Sequence, residues 1–163
     1  MIFSYARLLT IVFWVFILIL LPLPAGYEMA RPLWGVLMLL YIQFKLPDVF
    51  NYGWIVLLGI ILDILSLAPL GDHIFALCLV AGISSNRALR FKFFSAVQQV
   101  IWIFFLVLIY QVTLTVIDCF LGHRLMMART CIPVIISTLI WPIFAMFVDR
   151  HLLRAKKSVL YRE

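Results

Sequence analysis

The sequence predicts an all-α integral membrane protein, folded as a bundle of about six transmembrane helices. Of its 163 residues, 66% are hydrophobic and only 12% are charged, and the mean hydropathy is +1.17. A soluble domain is about half apolar and about a quarter charged. A chain of this size cannot hide such an apolar surplus inside its own core. Composition therefore excludes a soluble enzyme, a disordered chain and a disulfide-stapled domain.

The apolar residues form six runs, separated by short loops. The expected spans cover residues 8–24, 33–46, 54–67, 73–86, 93–120 and 132–148, and a short basic tail covers residues 149–163. Backbone polar groups find no water inside hydrocarbon, so these spans are predicted to be helices. We therefore expect one polytopic membrane domain over residues 1–163.

The first three spans are delimited by charges and turn formers. Arg7 precedes the first span and Ala25-Gly26 follow it, an order also typical of a signal peptide. Because the rest of the chain is equally hydrophobic, an uncleaved helix is favoured. Pro32 suits the start of the second span, since a proline at the first helical position wastes no hydrogen bond. The third span follows residues 47–53, which are rich in turn formers.

The last three spans differ in length and in how they begin. The fourth begins near His73, where Asp72 can cap it; the fifth is long enough to cross with tilt; and Pro133 lies near the first turn of the sixth. Spans two to four have about 14 residues each, or ~21 Å of helix against a ~30 Å hydrocarbon core. They must recruit flanking residues, thin the bilayer or be partly re-entrant. Six spans is the prediction, and five is the alternative.

The basic residues predict the orientation. With six spans, the 13 Lys and Arg residues divide 10 to 3 between the two sides of the membrane. The larger group consists of Arg7, Lys45, Arg87, Arg90, Lys92, Arg150, Arg154, Lys156, Lys157 and Arg162, and the smaller group of Arg31, Arg124 and Arg129. Cationic loops stay in the cytoplasm, so both termini are expected there. The net charge of +6 is then explained by topology and anionic headgroups, without nucleic acid.

A carboxylate lies inside the third span. Asp63 has Gly59 four residues before it and Ser66 three residues after it, so the three share one helical face. A carboxylate at membrane depth normally faces a bundle interior, a partner or a cavity, and a small residue lets another helix approach closely. Asp63 is therefore either part of a binding site or proton relay, or a structural residue that makes an interhelical hydrogen bond in its protonated form or reaches toward the membrane interface.

A second polar stripe and one proline lie in the last two spans. Gln111, Thr115 and Asp118 share one face near the end of the fifth span. Since Asp118 is close to that end, a structural role at the membrane surface is favoured for it. Pro142 lies inside the sixth span, where it removes a hydrogen bond to the carbonyl of Thr138 and is expected to kink the helix.

Residue sets that carry catalysis are missing from the sequence. His73, His123 and His151 lie in separate loops or in the tail, without partners at zinc-ligand spacing. Residues 82–85 lack the second glycine of a nucleophile turn, and no glycine-rich phosphate loop occurs. We therefore predict no catalytic residue, no metal site and no cofactor.

A series of residues in the middle of the chain resembles a known family. The series runs Arg31-Pro32-x-Trp34, Tyr41, Pro47, Asn51-x-Gly53, Gly59-x-x-x-Asp63 and Leu70-Gly71, with Trp141-Pro142 in the last span. Together with the length and span count, it resembles the rod shape-determining protein family MreD. Arg31, Gly59 and Asp63 match the family pattern, which supplies no catalytic role.

The resemblance implies a multi-pass protein of the bacterial inner membrane, belonging to the elongation machinery. Its implied partners are MreC directly, and MreB, RodA and a class B penicillin-binding protein indirectly. It also implies a fold similar to the small substrate-binding subunits of energy-coupling transporters. Homo-oligomerisation is left open.

Two hypotheses about function follow from these patterns. The first is a non-enzymatic scaffold that binds MreC and other elongation proteins, as the resemblance implies and as the missing catalytic sets favour. The second is a small-molecule-binding or importer subunit, favoured by the buried carboxylate faces and by short helices that could line a cavity.

Overall fold

Apolar runs of the sequence fold into α-helices in the part of the chain that the structure describes. The computed structural model describes residues 13, 16, 17, 19, 31–46, 50–85, 88, 90–122 and 127–160, without the side chains of residues 92, 127–129 and 151–160. Its α-helices are α1 (Trp34–Lys45), α2 (Tyr52–Ser66), α3 (Asp72–Ser85), α4 (Ala96–Phe120) and α5 (Met127–Leu160), and a 3₁₀ turn at Phe91–Phe93 precedes α4. These ranges contain no β-strand. The all-α prediction is confirmed for them, whereas the expected span over residues 8–24 lies almost wholly outside the described residues.

The helix bounds differ from the apolar runs where capping or propensity decides them. Helices α1, α2 and α3 begin and end within two residues of their runs. Helix α4 begins at Ala96 because the Ser95 hydroxyl accepts from the Gln98 amide while the Gln98 side chain accepts from the Ser95 amide, a capping box. Helix α5 begins at Met127, so Pro133 lies in its interior rather than in its first turn. It also continues into the basic tail, whose Ala, Arg and Lys residues favour helix.

Helix α1 forms the centre of the described bundle. Every residue of α1 from Gly35 to Phe44 is buried, which is typical of a helix that is apolar on all sides. Gly35 permits this close packing, because a β-carbon there would lie 2.6 Å from Leu62 of α2. The Leu33 amide, just before α1, donates to the Ser137 hydroxyl of α5 at 2.8 Å. The core of the protein is therefore a helix with neighbours around its full circumference.

The other helices surround α1 in chain order. Helix α2 packs against α3, α3 against α4, and α4 against α5, while α1 contacts all four of them. The 3₁₀ turn also contacts α1. Short connections join α2 to α3 and α4 to α5, as expected for antiparallel neighbours. Asp72 at the start of α3 interacts with Asp118 near the end of α4, so the turn at residues 67–71 and the end of α4 lie at the same end of the bundle.

The outer helix faces are apolar, as a lipid-facing surface requires. Residues 96–120 and 130–150 are each long and apolar enough to cross a membrane, whereas α1, α2 and α3 are shorter apolar helices. Large apolar side chains are exposed at Val56, Ile60 and Ile64 of α2, at Val97, Ile101, Phe105, Val112 and Val116 of α4, and at Ile135, Leu139, Ile143, Met146 and Phe147 of α5. Spacings of three, four and seven residues place each set on one outward stripe. The arrangement agrees with an all-α membrane protein.

Candidate functional site

Asp63 accepts hydrogen bonds from the beginning of the next helix. It is fully buried near the end of α2. Its Oδ2 accepts from the Gly71 amide at 2.7 Å, and its Oδ1 accepts from the His73 amide at 3.0 Å. His73 Nδ1 lies 2.9 Å from the same Oδ1. Amides at a helix start have no partner within the helix, so Asp63 caps α3 from α2.

The turn between α2 and α3 brings these groups together. Leu67 ends α2 in the left-handed region, with φ of 52°, and the Ala68 amide donates to the Asp63 carbonyl at 3.1 Å. Gly71 has φ of +112°, which a glycine adopts without a steric penalty. Asp63 therefore accepts through its carbonyl at the end of one helix and through its carboxylate at the start of the next. Asp72, expected to be the cap, is instead the first residue of α3.

Gly59 lies at a close contact between α2 and α3. A β-carbon at Gly59 would lie 2.4 Å from Ile74 Cγ1 and 2.8 Å from Ile74 Cα. Backbone atoms cannot give way as a side chain can, so this contact requires glycine. The face predicted to hold Gly59, Asp63 and Ser66 is therefore the face that α2 turns toward the start of α3.

Ser66, His73 and Asp63 also lie in the order of a serine–histidine–acid relay. His73 Nε2 is 3.5 Å from Ser66 Oγ, while Nδ1 faces Asp63. The Ser66 hydroxyl, however, donates to the Leu62 carbonyl of its own helix, and the carboxylate already accepts two backbone amides. This geometry is that of a helix-capping network. The sequence alone did not indicate a contact between His73 and Asp63, because the nine residues between them include a turn whose shape the sequence does not specify.

The charge of Asp63 also acts on a neighbouring carboxyl. Asp72 lies just before the expected span over residues 73–86. Asp63 and Asp118 both lie close enough to Asp72 to act on it electrostatically. Asp118 itself is an exposed residue of α4. The two acidic positions predicted from the sequence therefore both lie near Asp72, although only Asp63 is buried.

The rest of the predicted polar stripe contacts α5. Thr115 Oγ1 donates to the Gln111 carbonyl at 2.8 Å and lies 3.2 Å from Thr130 Oγ1. The Gln111 side chain is half-buried, and its Oε1 has no hydrogen-bond partner among the described residues. Through Thr115 this stripe joins α4 to α5, and it is separate from the hydrogen bonds of Asp63.

Two further predicted positions lie away from this network. Arg31 is exposed, three residues before α1 begins at Trp34. Pro142 lies inside α5 with an exposed side chain, next to the buried Trp141. The predicted kink at Pro142 and the interaction role of Arg31 remain predictions.

A second polar cluster, missed by sequence reasoning, joins α1 to α5 at the opposite end. The Tyr41 hydroxyl donates to Asp149 Oδ1 at 2.7 Å, and Lys45 Nζ lies 3.1 Å from Asp149 Oδ2. Tyr41 and Lys45 are four residues apart and therefore share one face of α1. That spacing, with the acid at the end of the last apolar run, is the signal that could have revealed the cluster.

A buried pair of polar residues joins α1 to α3. Gln43 Nε2 donates to the Ala81 carbonyl at 2.9 Å, and the Ser84 hydroxyl lies 2.7 Å from Gln43 Oε1. Both side chains are buried, and a buried amide is costly unless it is hydrogen-bonded. The polar residues inside the described bundle thus connect helices to one another.

Comparison with known proteins places this architecture in a family. A family model described as rod shape-determining protein MreD matches residues 1–151. The chain belongs to the MreD family. The rod shape-determining protein MreD of Haemophilus influenzae is 28% identical to the chain over 127 residues, which are 78% of each protein. No solved structure matches the chain with significance.

Membership of MreD confirms the family predicted from the residue series. The family and the name of the relative support a role in determining rod shape, and MreD membership with the apolar helices indicates a membrane protein. The predicted likeness to transporter subunits has no matching solved structure to support it. In this MreD chain, Asp63 and Gly71 of the series join the end of α2 to the start of α3, and Gly59 lies where the two helices pack together. That part of the series therefore builds a helical hairpin.

Proposed function

We propose that this MreD chain is a non-enzymatic scaffold subunit of the bacterial cell-wall elongation complex. It resides in the cytoplasmic membrane, supports peptidoglycan synthesis along the lateral wall and acts by binding MreC. Through MreC it acts with MreB, RodA and a class B penicillin-binding protein. The family match over residues 1–151 supports this proposal.

The observation that carries the non-enzymatic part is the use of Asp63. Its carboxylate accepts from two backbone amides and faces His73 Nδ1. A general base or a nucleophile activator needs accessible lone pairs directed at a substrate. Here those lone pairs fix one helix against another, which is the task of a structural residue in a scaffold.

The position of α1 favours the scaffold over a ligand-binding subunit. A small-molecule site in a helix bundle is a cavity of several hundred cubic ångströms. In the described part of the bundle, α1 occupies the middle and is buried from Gly35 to Phe44. Partners then have the outer faces and the short connections before α1, between α2 and α3 and between α4 and α5 for recognition.

The scaffold proposal includes a six-span topology with both termini in the cytoplasm. Helices α1 to α5 supply five consecutive apolar segments, and residues 8–24 supply the sixth. The 10 to 3 division of Lys and Arg supports the orientation. The short helices α1, α2 and α3 cross with flanking residues or in thinned lipid.

Complementation of cell shape separates a structural Asp63 from a catalytic one. In a rod-shaped bacterium depleted of its own MreD, the wild-type chain and Ser66→Ala should both restore rods. Asp63→Ala should give rounded cells and less protein in the membrane, because the start of α3 loses its cap. Rounded cells with a normal level of Ser66→Ala would indicate nucleophilic chemistry. Unchanged rods after complete depletion would overturn the role in shape.

Co-purification tests the proposed partner. A tagged full-length chain, extracted with native lipids, should retain MreC, identified by mass spectrometry. Asp63→Ala should retain less MreC, in proportion to its loss of folded protein. Wild-type MreD that restores rods but carries no MreC would show that the scaffold acts through another protein.

A further inference from the structure

The turn before α4 has an inner face anchored in the core and an outer face that is exposed. In a 3₁₀ helix, side chains three residues apart eclipse one another. The Phe93 amide donates to the Arg90 carbonyl at 3.0 Å, and the Phe94 amide donates to the Phe91 carbonyl at 3.2 Å. Phe91 and Phe94 therefore share one side of the turn, and Arg90 and Phe93 share another.

The inner side is fixed by aromatic packing. Phe91 is fully buried and stacks on Phe44 of α1, with ring centroids 3.9 Å apart and planes inclined by 9°. Its ring also meets the edge of Trp141 at 6.2 Å and the tilted ring of Phe94 at 5.8 Å. The turn is thereby attached to the central helix, and its outer side is held in one orientation.

The outer side pairs a cation with an aromatic ring. Phe93 is 88% exposed, and Arg90 is exposed beside it. The sequence adds two more cations to the same short segment, at positions 87 and 92. The capping box at Ser95 begins a helix of 25 residues directly after the turn. The pair thus lies where that apolar helix emerges at the expected cytoplasmic surface.

We infer that Arg90 and Phe93 form a binding site for an anionic phospholipid. The guanidinium of Arg90 binds the phosphodiester, whose oxygens match the fork geometry of its N–H donors. Phe93 packs among the first methylenes of the acyl chains, which covers an aromatic side chain that is otherwise exposed. Because Phe91 fixes the turn, little conformational freedom is lost on binding.

A lipid fits this surface better than a soluble partner does. The ring and the cation lie on one side of a single turn, so the amphipathic boundary of a bilayer matches both at once. The charge of the segment is complementary to the anionic cytoplasmic leaflet. The inference rests on the membrane orientation included in the proposed function, but not on the binding of MreC.

Native mass spectrometry of the full-length chain tests the inference. Detergent-solubilised protein is titrated with phosphatidylglycerol and, separately, with phosphatidylcholine. The wild type should bind phosphatidylglycerol more tightly, and Arg90→Gln should weaken that binding about tenfold or more, because the charge-assisted hydrogen bonds to the phosphodiester are lost. Phe93→Ala should also weaken it. An excess of inorganic phosphate should leave the bound lipid in place.

A matched charge variant separates a built site from general attraction. Arg150→Gln removes an exposed cation at the same expected side without touching the turn, and it should weaken lipid binding by no more than about fivefold, the effect of one cation near an anionic surface. Phe91→Ala should weaken binding although Arg90 and Phe93 remain; if it fails to fold, Arg90→Gln alone decides. Equal losses for Arg90→Gln and Arg150→Gln would overturn the inference. Unchanged lipid binding with loss of a co-purifying protein would assign the turn to a protein partner instead.

Discussion

Asp63 is the residue on which the described hairpin depends most directly. Its side chain is completely buried. The carboxylate accepts hydrogen bonds from two backbone amides and lies within hydrogen-bond distance of one imidazole nitrogen. An amide that loses its acceptor in a buried site costs more than the bond itself contributes. The free energy of unfolding that is lost when Asp63 is replaced should therefore increase with the number of hydrogen-bond acceptors that the substitution removes.

Substitutions of Asp63 should separate by hydrogen-bonding capacity. Asp63→Asn keeps one acceptor oxygen, whereas Asp63→Leu leaves both amides unsatisfied and should cost about 2–5 kcal/mol. Thermal unfolding in detergent should thus rank wild type above Asn and Asn above Leu. Asn51→Ala, at an exposed position whose side chain makes no capping hydrogen bond, should change stability by about 0.5 kcal/mol or less. Equal stability of the Asn and Leu variants would remove the capping role.

Two helical glycines provide a matched pair for the contact between α2 and α3. Gly59→Ala drives a β-carbon into Ile74, 2.8 Å from its Cα, and should destabilise by about 1–3 kcal/mol through overpacking. Gly82→Ala has nothing within 4 Å of the new atom and should be neutral or stabilising by up to about 1 kcal/mol. Unfolding midpoints of the two variants in one detergent measure the difference. Similar midpoints would mean that α2 and α3 are not in close contact at Gly59.

At the scale of the element, α1 is held at both ends by side chains of α5. The Ser137 hydroxyl accepts a hydrogen bond from the Leu33 amide just before α1. Near the end of α1, the Asp149 carboxylate accepts from the Tyr41 hydroxyl and pairs with the Lys45 ammonium. A helix of 12 residues spans only ~18 Å, less than the ~30 Å hydrocarbon core. These contacts at its two ends position a short helix inside a longer framework.

The contact between Tyr41 and Asp149 should appear as a coupling energy. Tyr41→Phe removes one hydrogen bond and should cost about 1 kcal/mol. In a double-mutant cycle with Asp149→Asn, the two changes should be non-additive by about 0.5–2 kcal/mol. Tyr52→Phe, at an exposed position, serves as the control and should couple to nothing. Additive effects of Tyr41→Phe and Asp149→Asn would show that the two helices are held by packing alone.

The sequence alone predicted where the helices lie along the chain better than it predicted which helices contact one another. The apolar runs place α1, α2 and α3 to within two residues, because hydropathy reports which segments avoid water. Hydropathy does not distinguish lipid from protein as the apolar surroundings, so the central position of α1 could not be predicted. Asp63 and Gly59 were found because a charge or a glycine in an apolar run is conspicuous. Asp149 and His73 lie at the edges of runs, and their contacts depend on turns and long-range packing.

At the scale of the whole molecule, the described hairpins fix which loops lie on the same side. Asn51 precedes α2 and the turn at residues 67–71 follows it, so a membrane-crossing α2 puts these segments on opposite sides. The turn at Leu121, after α4, returns to the side of residues 67–71 if α3 and α4 also cross. Successive crossing helices place Asn51 and Leu70 on opposite sides. The excess of Lys and Arg on one side then predicts that Asn51 lies inside the cell and Leu70 outside.

Cysteine labelling tests this topology on both sides of the bundle. The native Cys78, Cys119 and Cys131 are all exposed, so they must first be replaced by alanine. Single cysteines are then introduced by Asn51→Cys and Leu70→Cys, at exposed positions outside the interior of a helix, and by Glu163→Cys at the end of the chain. A membrane-impermeant maleimide added to intact spheroplasts should label Leu70→Cys alone, because the other two positions face the cytoplasm with six spans. Labelling at position 163 together with position 70 would instead support five spans, with one short helix entering and leaving on the same side. Labelling at position 51 would invert the orientation and contradict the cationic bias itself.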